Sequence, residues 1–159
     1  MTSKYEIRLN SKIDIRRIYT NETLPLRKKV LKPFLTEEEC INPGDDLTST
    51  YHFGLFQENK LISISTFIQE GHPDFLSTFP YRLRGMATDT EFQGQGLGGI
   101  LLQHGVEYLR QKECDFLWFN ARIKAFPFYE KLGFSYYGPL FDIKDIGPHK
   151  VMYKILIPK

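Results

Sequence analysis

Thr88-Asp89-Thr90-Glu91-Phe92-Gln93-Gly94-Gln95-Gly96-Leu97-Gly98-Gly99 stands between a strand-like run and an amphipathic one. Upstream, Tyr81 to Thr88 reads as a strand, with Leu83, Gly85 and Ala87 on one face and Arg82, Arg84, Met86 and Thr88 on the other. Downstream, Leu97, Leu101, Gly105, Tyr108 and Leu109 recur at helical spacing, widened by Leu102 and Val106, which predicts a helix over 97–112. A helix start offers unpaired backbone N–H groups and the positive end of the macrodipole, and glycines let an anion approach that backbone closely. The stretch is therefore suited to hold a phosphate or pyrophosphate.

Three readings compete for the glycines. Gly94, Gly96 and Gly99 satisfy G-x-G-x-x-G, but a dinucleotide fold wants an acidic residue about 20 positions on. This chain has Phe119 and Asn120 there. A P-loop needs Lys-Ser or Lys-Thr after its last glycine, and Gly99 is followed by Ile100 and Leu101. The third reading is a turn that only packs a helix on a sheet.

The rest of the chain supplies an α+β order. A first strand is expected at 5–9, and helical turns over 12–32 from Ile15, Ile18, Tyr19 and Val30, interrupted at Pro25. Thr36 before Glu37-Glu38-Glu39 reads as the N-cap of a short helix that ends before Pro43-Gly44. Tyr51–Gln57 and Lys60–Ile68 alternate around Glu58-Asn59 as a β-hairpin, and the chain then turns at Gly71-His72-Pro73. Phe116 to Asn120 is an apolar strand, Ala125 to Leu132 a helix closed by Gly133, and 134–137 and 151–157 the remaining strands. One strand–helix–strand crossover lies near the middle.

The 159 residues fit a single domain over 1–159 that needs no disulfide or metal to staple it. The net charge of +2 comes from interspersed charges, so no nucleic-acid partner is expected. Cys40 and Cys114 stand far apart without zinc-ligand spacing, so both are expected as reduced thiols and no metal site is assigned. No apolar signal core or membrane-length run is present, which predicts a cytoplasmic protein with no membrane partner.

The Q/R-x-x-G-x-G/A signature is matched by Gln93, Gly96 and Gly98, and a second element, Asn120 through Phe134, ends in Phe128-Tyr129-Glu130-Lys131-Leu132-Gly133-Phe134. Together they resemble the GNAT superfamily of N-acetyltransferases, the likeness covering about residues 81–157. The resemblance implies a mixed, mostly antiparallel twisted sheet with helices on both faces, and acetyl-CoA as the acyl donor. It also implies a pyrophosphate on Gln93, Gly94, Gln95, Gly96, Leu97, Gly98 and Gly99, a pantetheine arm along Met86, Ala87 and Thr88, and Asn120 and Tyr129 against the cofactor. Gly85 within the strand fits either a bulge that splays it from its neighbour or close packing.

Transfer from a thioester to an amine needs a bound thioester, a neutral amine and a proton for the departing thiolate. Tyr129 is the candidate acid, although a phenol near pKa 10 gives its proton to a thiolate of about 8.5 only against roughly 2 kcal/mol. An alkyl ammonium of pKa about 10.4 is neutral in only about one molecule in 2,500 at pH 7, so a base would help. Strand 81–88 lacks the glutamate that many relatives carry there. His149, after Ile146-Gly147-Pro148, is the candidate base, expected in a tight turn into the last strand. Arg84, Asp45, Asp46 and His52 are candidates to shape the acceptor site. The expected activity is direct acetyl transfer to a primary amine, small or peptidic, without an acyl-enzyme. The alternatives are an acetyl-CoA sensor without turnover and a protein-modifying acetyltransferase with an acidic cleft; a homodimer is compatible with each.

Overall fold

A computed structural model describes residues 12–158. The strand expected at 5–9 lies outside them. Eight strands form one sheet: β1 (Ile13–Arg17), β2 (Tyr51–Gln57), β3 (Lys60–Ile68), β4 (Pro80–Leu83), β5 (Ala87–Thr88), β6 (Phe116–Arg122), β7 (Ser135–Ile143) and β8 (Gly147–Ile155). Its order is β1-β2-β3-β4-β6-β8-β7, with β5 beside β3. Among the described residues only β4 and β6 pair in parallel, across the crossover helix α2 (Leu97–Gln111). The helices α1 (Thr20–Leu26) and α3 (Phe126–Lys131) complete the α+β architecture.

The helix expected over 12–32 is in fact a strand, a helix and a wider turn. Ile13 and Ile15 point inward while Asp14 and Arg16 stay exposed, a period of two that suits β1, which pairs antiparallel with β2. Glu22 accepts the Tyr19 N–H at 2.7 Å and closes the start of α1. Pro25 does not interrupt this helix. Asn21 and Pro25 are both exposed, so water can serve the carbonyl that proline's missing N–H leaves without a partner. The chain then loosens into a π-helical turn over Arg27–Leu31, closed by the Lys32 N–H on the Arg27 carbonyl at 3.0 Å.

The hairpin turn at Glu58-Asn59 has both residues in the left-handed region, φ 50° and 68°, as a two-residue loop requires. Thr36 caps as expected, and Glu39 returns the bond to the Thr36 N–H, over a single 3₁₀ turn, Glu38–Cys40. The last hairpin is longer than the sequence suggested: β7 and β8 meet through a turn with Asp145 at φ 68°.

Helices cover both faces. On one, Leu97, Leu101, Leu102 and Leu109 of α2 pack with Phe53, Leu55, Phe67, Leu117 and Phe119. The contact is close at Gly105, where a Cβ would lie 2.4 Å from the Phe67 ring. On the other, Leu26 of α1 joins Ile18, Phe56, Ile64 and Ala87, and Phe116 and Trp118 pack with Val151.

The feature that positions the site is a break in the strand expected over 81–88. It divides at Gly85, whose φ of +80° a side chain would disfavour. β4 pairs with β6 from Pro80↔Phe116 to Arg82↔Trp118, but β5 pairs only with β3. Residues 119–122 of β6 keep β8 on one side and have no strand partner among the described residues on the other. The sheet opens there.

Candidate active site

One end of the opening is the start of α2. Gly96 caps it at φ +78° with no side-chain cap, and the first helical bond is Ile100 N–H to the Gly96 carbonyl at 3.2 Å. The N–H groups of Leu97, Gly98 and Gly99 precede that bond and have no helical acceptor. A Cβ on Gly94 or Gly96 would meet nothing within 4 Å, so space lies open above the loop. Gly98 differs: its Cβ would fall 3.1 Å from Thr88 Oγ1 and 3.5 Å from Met86 Cε, so it serves close packing on the strand. Gln93 donates from Nε2 to the Thr88 carbonyl at 2.9 Å, tying the loop to the end of β5.

The other end is a cleft of ≈ 250 Å³ between the parted strands. It brings together Arg84, Met86, Asn120, Tyr129 and His149 from four separate segments. Tyr129 is buried with its ring 4.3 Å from that of Phe119 and 5.0 Å from that of Phe128. Burial holds its pKa well above the usual phenol value, against the opposing pull of Arg122. Its hydroxyl has no protein hydrogen-bond partner among the described residues, which leaves it free for a ligand.

His149 is not in a loop, as the sequence suggested, but inside β8, opposite Arg122 on one side and Phe141 on the other. The side chain is buried, and Nδ1 lies 2.8 Å from the Gly147 carbonyl. A carbonyl can only accept, so Nδ1 carries a proton, and in the neutral ring this tautomer puts the lone pair on Nε2.

His52 lines no part of the cleft. It belongs to a buried network behind it, in which Nε2–H donates to the Asp45 carbonyl at 2.8 Å and Nδ1 accepts from Thr66 Oγ1 at 2.7 Å. Thr66 in turn accepts from Arg27 Nη2 at 2.9 Å, and Arg27 grips the Asp45 carboxylate with both Nη atoms, at 2.6 and 3.0 Å. Burial lowers the His52 pKa, partly offset by Asp45, which suits a neutral ring. Arg27 reaches from this network to the cleft wall. A larger hollow of ≈ 690 Å³ beyond His52, against α1, shares no lining residue with the cleft and contains neither Tyr129 nor His149.

Both thiols are buried. Cys114 sits away from the cleft with its pKa pushed up to about 11 by burial, which makes it a poor nucleophile. Cys40 reaches the cleft wall, where its carbonyl accepts from Arg27. No cluster of His, Cys, Asp and Glu among the described residues could hold a metal ion, and no helix among them is long and apolar enough to cross a membrane.

Residues 15–134 match the acetyltransferase (GNAT) family. The chain belongs to that family. Like others of it, the protein is an acyltransferase that acts on amines. It is 35% identical over 144 residues to YitI, an uncharacterized N-acetyltransferase of Bacillus subtilis strain 168, covering 91% of this chain and 97% of that one. In three dimensions it resembles FeeM, an N-acyl amino acid synthase from uncultured soil microbes, with a TM-score of 0.75, 15% identity and 92% of each chain covered. An aminoglycoside 6′-N-acetyltransferase complexed with coenzyme A aligns with a TM-score of 0.69 at 14% identity, over 92% of this chain and 98% of that one. These two likenesses carry the GNAT fold, with its mostly antiparallel sheet, and nothing about the acceptor.

Sequence reasoning missed Arg27, Lys32 and Arg122, which reach the cleft from the π-helical turn, the residue after it and the end of β6. No local motif marks them; the pairing of β6 with the broken strand was the signal needed.

Proposed function

We propose that the protein transfers an acetyl group from acetyl-CoA directly to a primary amine, with the cleft as reaction chamber. The observation that carries this reading is the parting of β5 from β6, which leaves a slot between an uncapped helix start and a chamber lined by Tyr129 and His149. The open space above Gly94 and Gly96 and the N–H groups of residues 97–99, which have no acceptor within the helix, fit a pyrophosphate. In this reading Met86, Ala87 and Thr88 receive the pantetheine arm on the backbone edge that does not pair with β6, and Asn120 steadies it from β6. When bound, acetyl-CoA supplies an activated carbonyl and a thiolate leaving group.

The chain does the rest. His149 takes the amine's proton at Nε2, its ring fixed by the bond from Nδ1–H to Gly147. Tyr129 donates its O–H to the departing sulfur. Burial keeps that phenol protonated, and its raised pKa makes complete proton transfer more adverse than the roughly 2 kcal/mol expected of an ordinary tyrosine. Its part is a hydrogen bond that strengthens as charge develops on sulfur. No acyl-enzyme is required, so Cys40→Ala with Cys114→Ala should remain active.

Initial velocities over a grid of acetyl-CoA and acceptor concentrations test the reading. Intersecting double-reciprocal lines are expected; parallel lines would sink direct transfer. Calorimetry adds the site: Gly96→Val should weaken CoA at least about tenfold, because a β-branched residue resists φ > 0 and the space above the loop fills. Rates with propionyl- and butyryl-CoA that match the acetyl rate would remove the acetyl preference.

A further inference from the structure

Cations crowd the cleft. Arg27, Lys32, Arg82, Arg84 and Arg122 all line it, and no Asp or Glu among the described residues does. Two are neutralised from behind, Arg27 by Asp45 at 2.6 Å and Arg82 by Glu70 at 3.0 Å. Lys32, Arg84 and Arg122 have no ion-pair partner among the described residues. Arg122 spends one donor on the Leu31 carbonyl at 2.7 Å. The charges feel one another: burial and then Arg84, Arg122 and Arg27 depress the Lys32 pKa, and burial and then Arg82 depress that of Arg84.

Hydrogen bonding shows the same shortage of acceptors. The Nε atoms of Arg27 and Arg82 are buried without a partner, and the Arg27 side chain is only 2% exposed. Buried donors of this kind are seldom left unmade, because each costs the desolvation of an N–H. At Gly85 a side chain would crowd one of them, since its Cβ would lie 3.1 Å from Arg27 Nε. The lining is rich in donors and positive charge and poor in both acceptors and negative charge.

We infer that the acceptor is a small amine carrying its own anionic group, a carboxylate in the simplest case, bound through Lys32, Arg84 and Arg122; this rests on the transferase reading above. A bare alkyl ammonium would bring another positive charge into a field that already repels it, and a polycationic amine or a lysine-rich peptide would fare worse. An anionic group on the same molecule supplies the missing counter-charge and acceptors. The same field disfavours the ammonium form, so once the anion is anchored more of the amine is neutral and nucleophilic. At ≈ 250 Å³ the cleft lies at or below the lower end of the roughly 300–1,000 Å³ usual for ligand pockets, which fits a small acceptor.

The test compares acceptors with and without an anionic group: leucine with leucinamide and β-alanine with β-alaninamide, which are nearly isosteric, and phosphoethanolamine with ethanolamine, which lacks the phosphate, each with acetyl-CoA. Intrinsic reactivity favours the amino acid amides, whose amines are less basic and more often neutral, so the chemistry alone runs against the expected order. A carboxylate or phosphate preference of about 10- to 100-fold in kcat/KM is expected, as for hydrogen bonds to charged groups, and it should shrink as salt rises. Preference for the phosphate alone would assign the anion as a phosphate. Arg84→Gln and Lys32→Gln should erase the preference by raising acceptor KM, with a smaller fall in kcat as more of the bound amine stays protonated, while CoA affinity changes little; Arg84→Lys should restore part of it. Equal or better rates with the uncharged partners overturn the inference and leave the transferase reading standing. So does a loss of CoA affinity in Arg84→Gln and Lys32→Gln without an acceptor effect, which would give these cations to the cofactor's phosphates. Absence of thiol release with every acceptor, charged or not, would remove the transferase reading and the acceptor class with it.

Discussion

Residues 93–99 contain no charged side chain, so the positive character of that end of the slot rests on backbone N–H groups set by glycine dihedrals, whereas the opposite end is built from guanidinium and ammonium groups. A backbone site tolerates changes in side-chain chemistry and fails when φ changes. A site of buried charges tolerates small shifts of backbone and fails when one partner is removed. The two ends should therefore break in different ways, and the contrast can be measured.

The largest effect is expected at Arg27. Arg27→Met removes one half of a buried, bidentate pair and leaves the Asp45 carboxylate with only the Asn42 N–H at 2.7 Å among the described partners. Breaking such a pair costs about 3–5 kcal/mol. For a chain of this size that lowers Tm by about 10 °C, read by calorimetry or urea unfolding. A variant as stable as the wild type would show that the charged end is not organised by this pair.

Next in size is Tyr129→Phe. Loss of one hydroxyl should lower kcat on the order of 10²-fold, about 2.7 kcal/mol in the barrier, and leave CoA affinity and Tm near their original values. The side chain is held by Phe119, Phe128 and Phe134 through its ring, and phenylalanine keeps those contacts. A fall in CoA affinity equal to the fall in kcat would turn Tyr129 into a cofactor-binding group instead.

The glycines divide the backbone end further. Gly105→Ala places a methyl 2.4 Å from the Phe67 ring and should cost about 1–3 kcal/mol of stability, as overpacking does, while CoA affinity stays within about twofold. Gly96→Ala meets no neighbour, so any loss of stability reflects backbone conformation alone and the main loss should be in CoA affinity. If both variants lose stability and affinity in the same proportion, the helix start is a packing device and not a binding one.

The sequence made the backbone end readable because its signals are local: glycines at fixed spacing, a helical stripe after them and the Phe128–Phe134 run. Gly85 gave a reason for the strand to part from its neighbour, but the pairing that opens the cleft became visible only with β6 in place. The charged end is spread over residues 27, 32, 82, 84 and 122, and only the parting of β5 from β6 gathers them. Ile13 and Ile15 alternate as a strand, yet Ile15 with Ile18 and Tyr19 also suits a helical turn, and the partners that decide are Gln57 and Leu55 of β2, far along the chain. His149 looked like a loop residue because Gly147-Pro148 reads as a turn, whereas the register of β7 and β8 places the turn earlier, at Asp145.

The smallest expected effect lies in the network behind the charged end, and it is one of pH. His52 holds that network only as a neutral ring, with Nδ1 accepting from Thr66 and Nε2–H donating to Asp45, so protonation would remove the acceptor that Thr66 needs. Burial accordingly lowers its pKa in the folded chain, while the unfolded chain should keep a value near 6.5. As pH falls the unfolded state binds the proton first. The stability attributable to this residue is thus complete above about pH 6.5 and is lost progressively down to the folded pKa, by at most about 1.4 kcal/mol per pH unit. His52→Gln can keep both hydrogen bonds, through Oε1 and Nε2, without titrating. Urea unfolding of the two proteins at pH 7.5, 6.5 and 5.5 should show the wild type losing more stability than the variant over that range. Carboxylates elsewhere titrate in both proteins and cancel in the difference. A difference that stays constant from pH 7.5 to 5.5 would mean that the network accommodates a charged His52, and with it a fourth positive charge close behind a cleft whose lining already has three without a carboxylate partner.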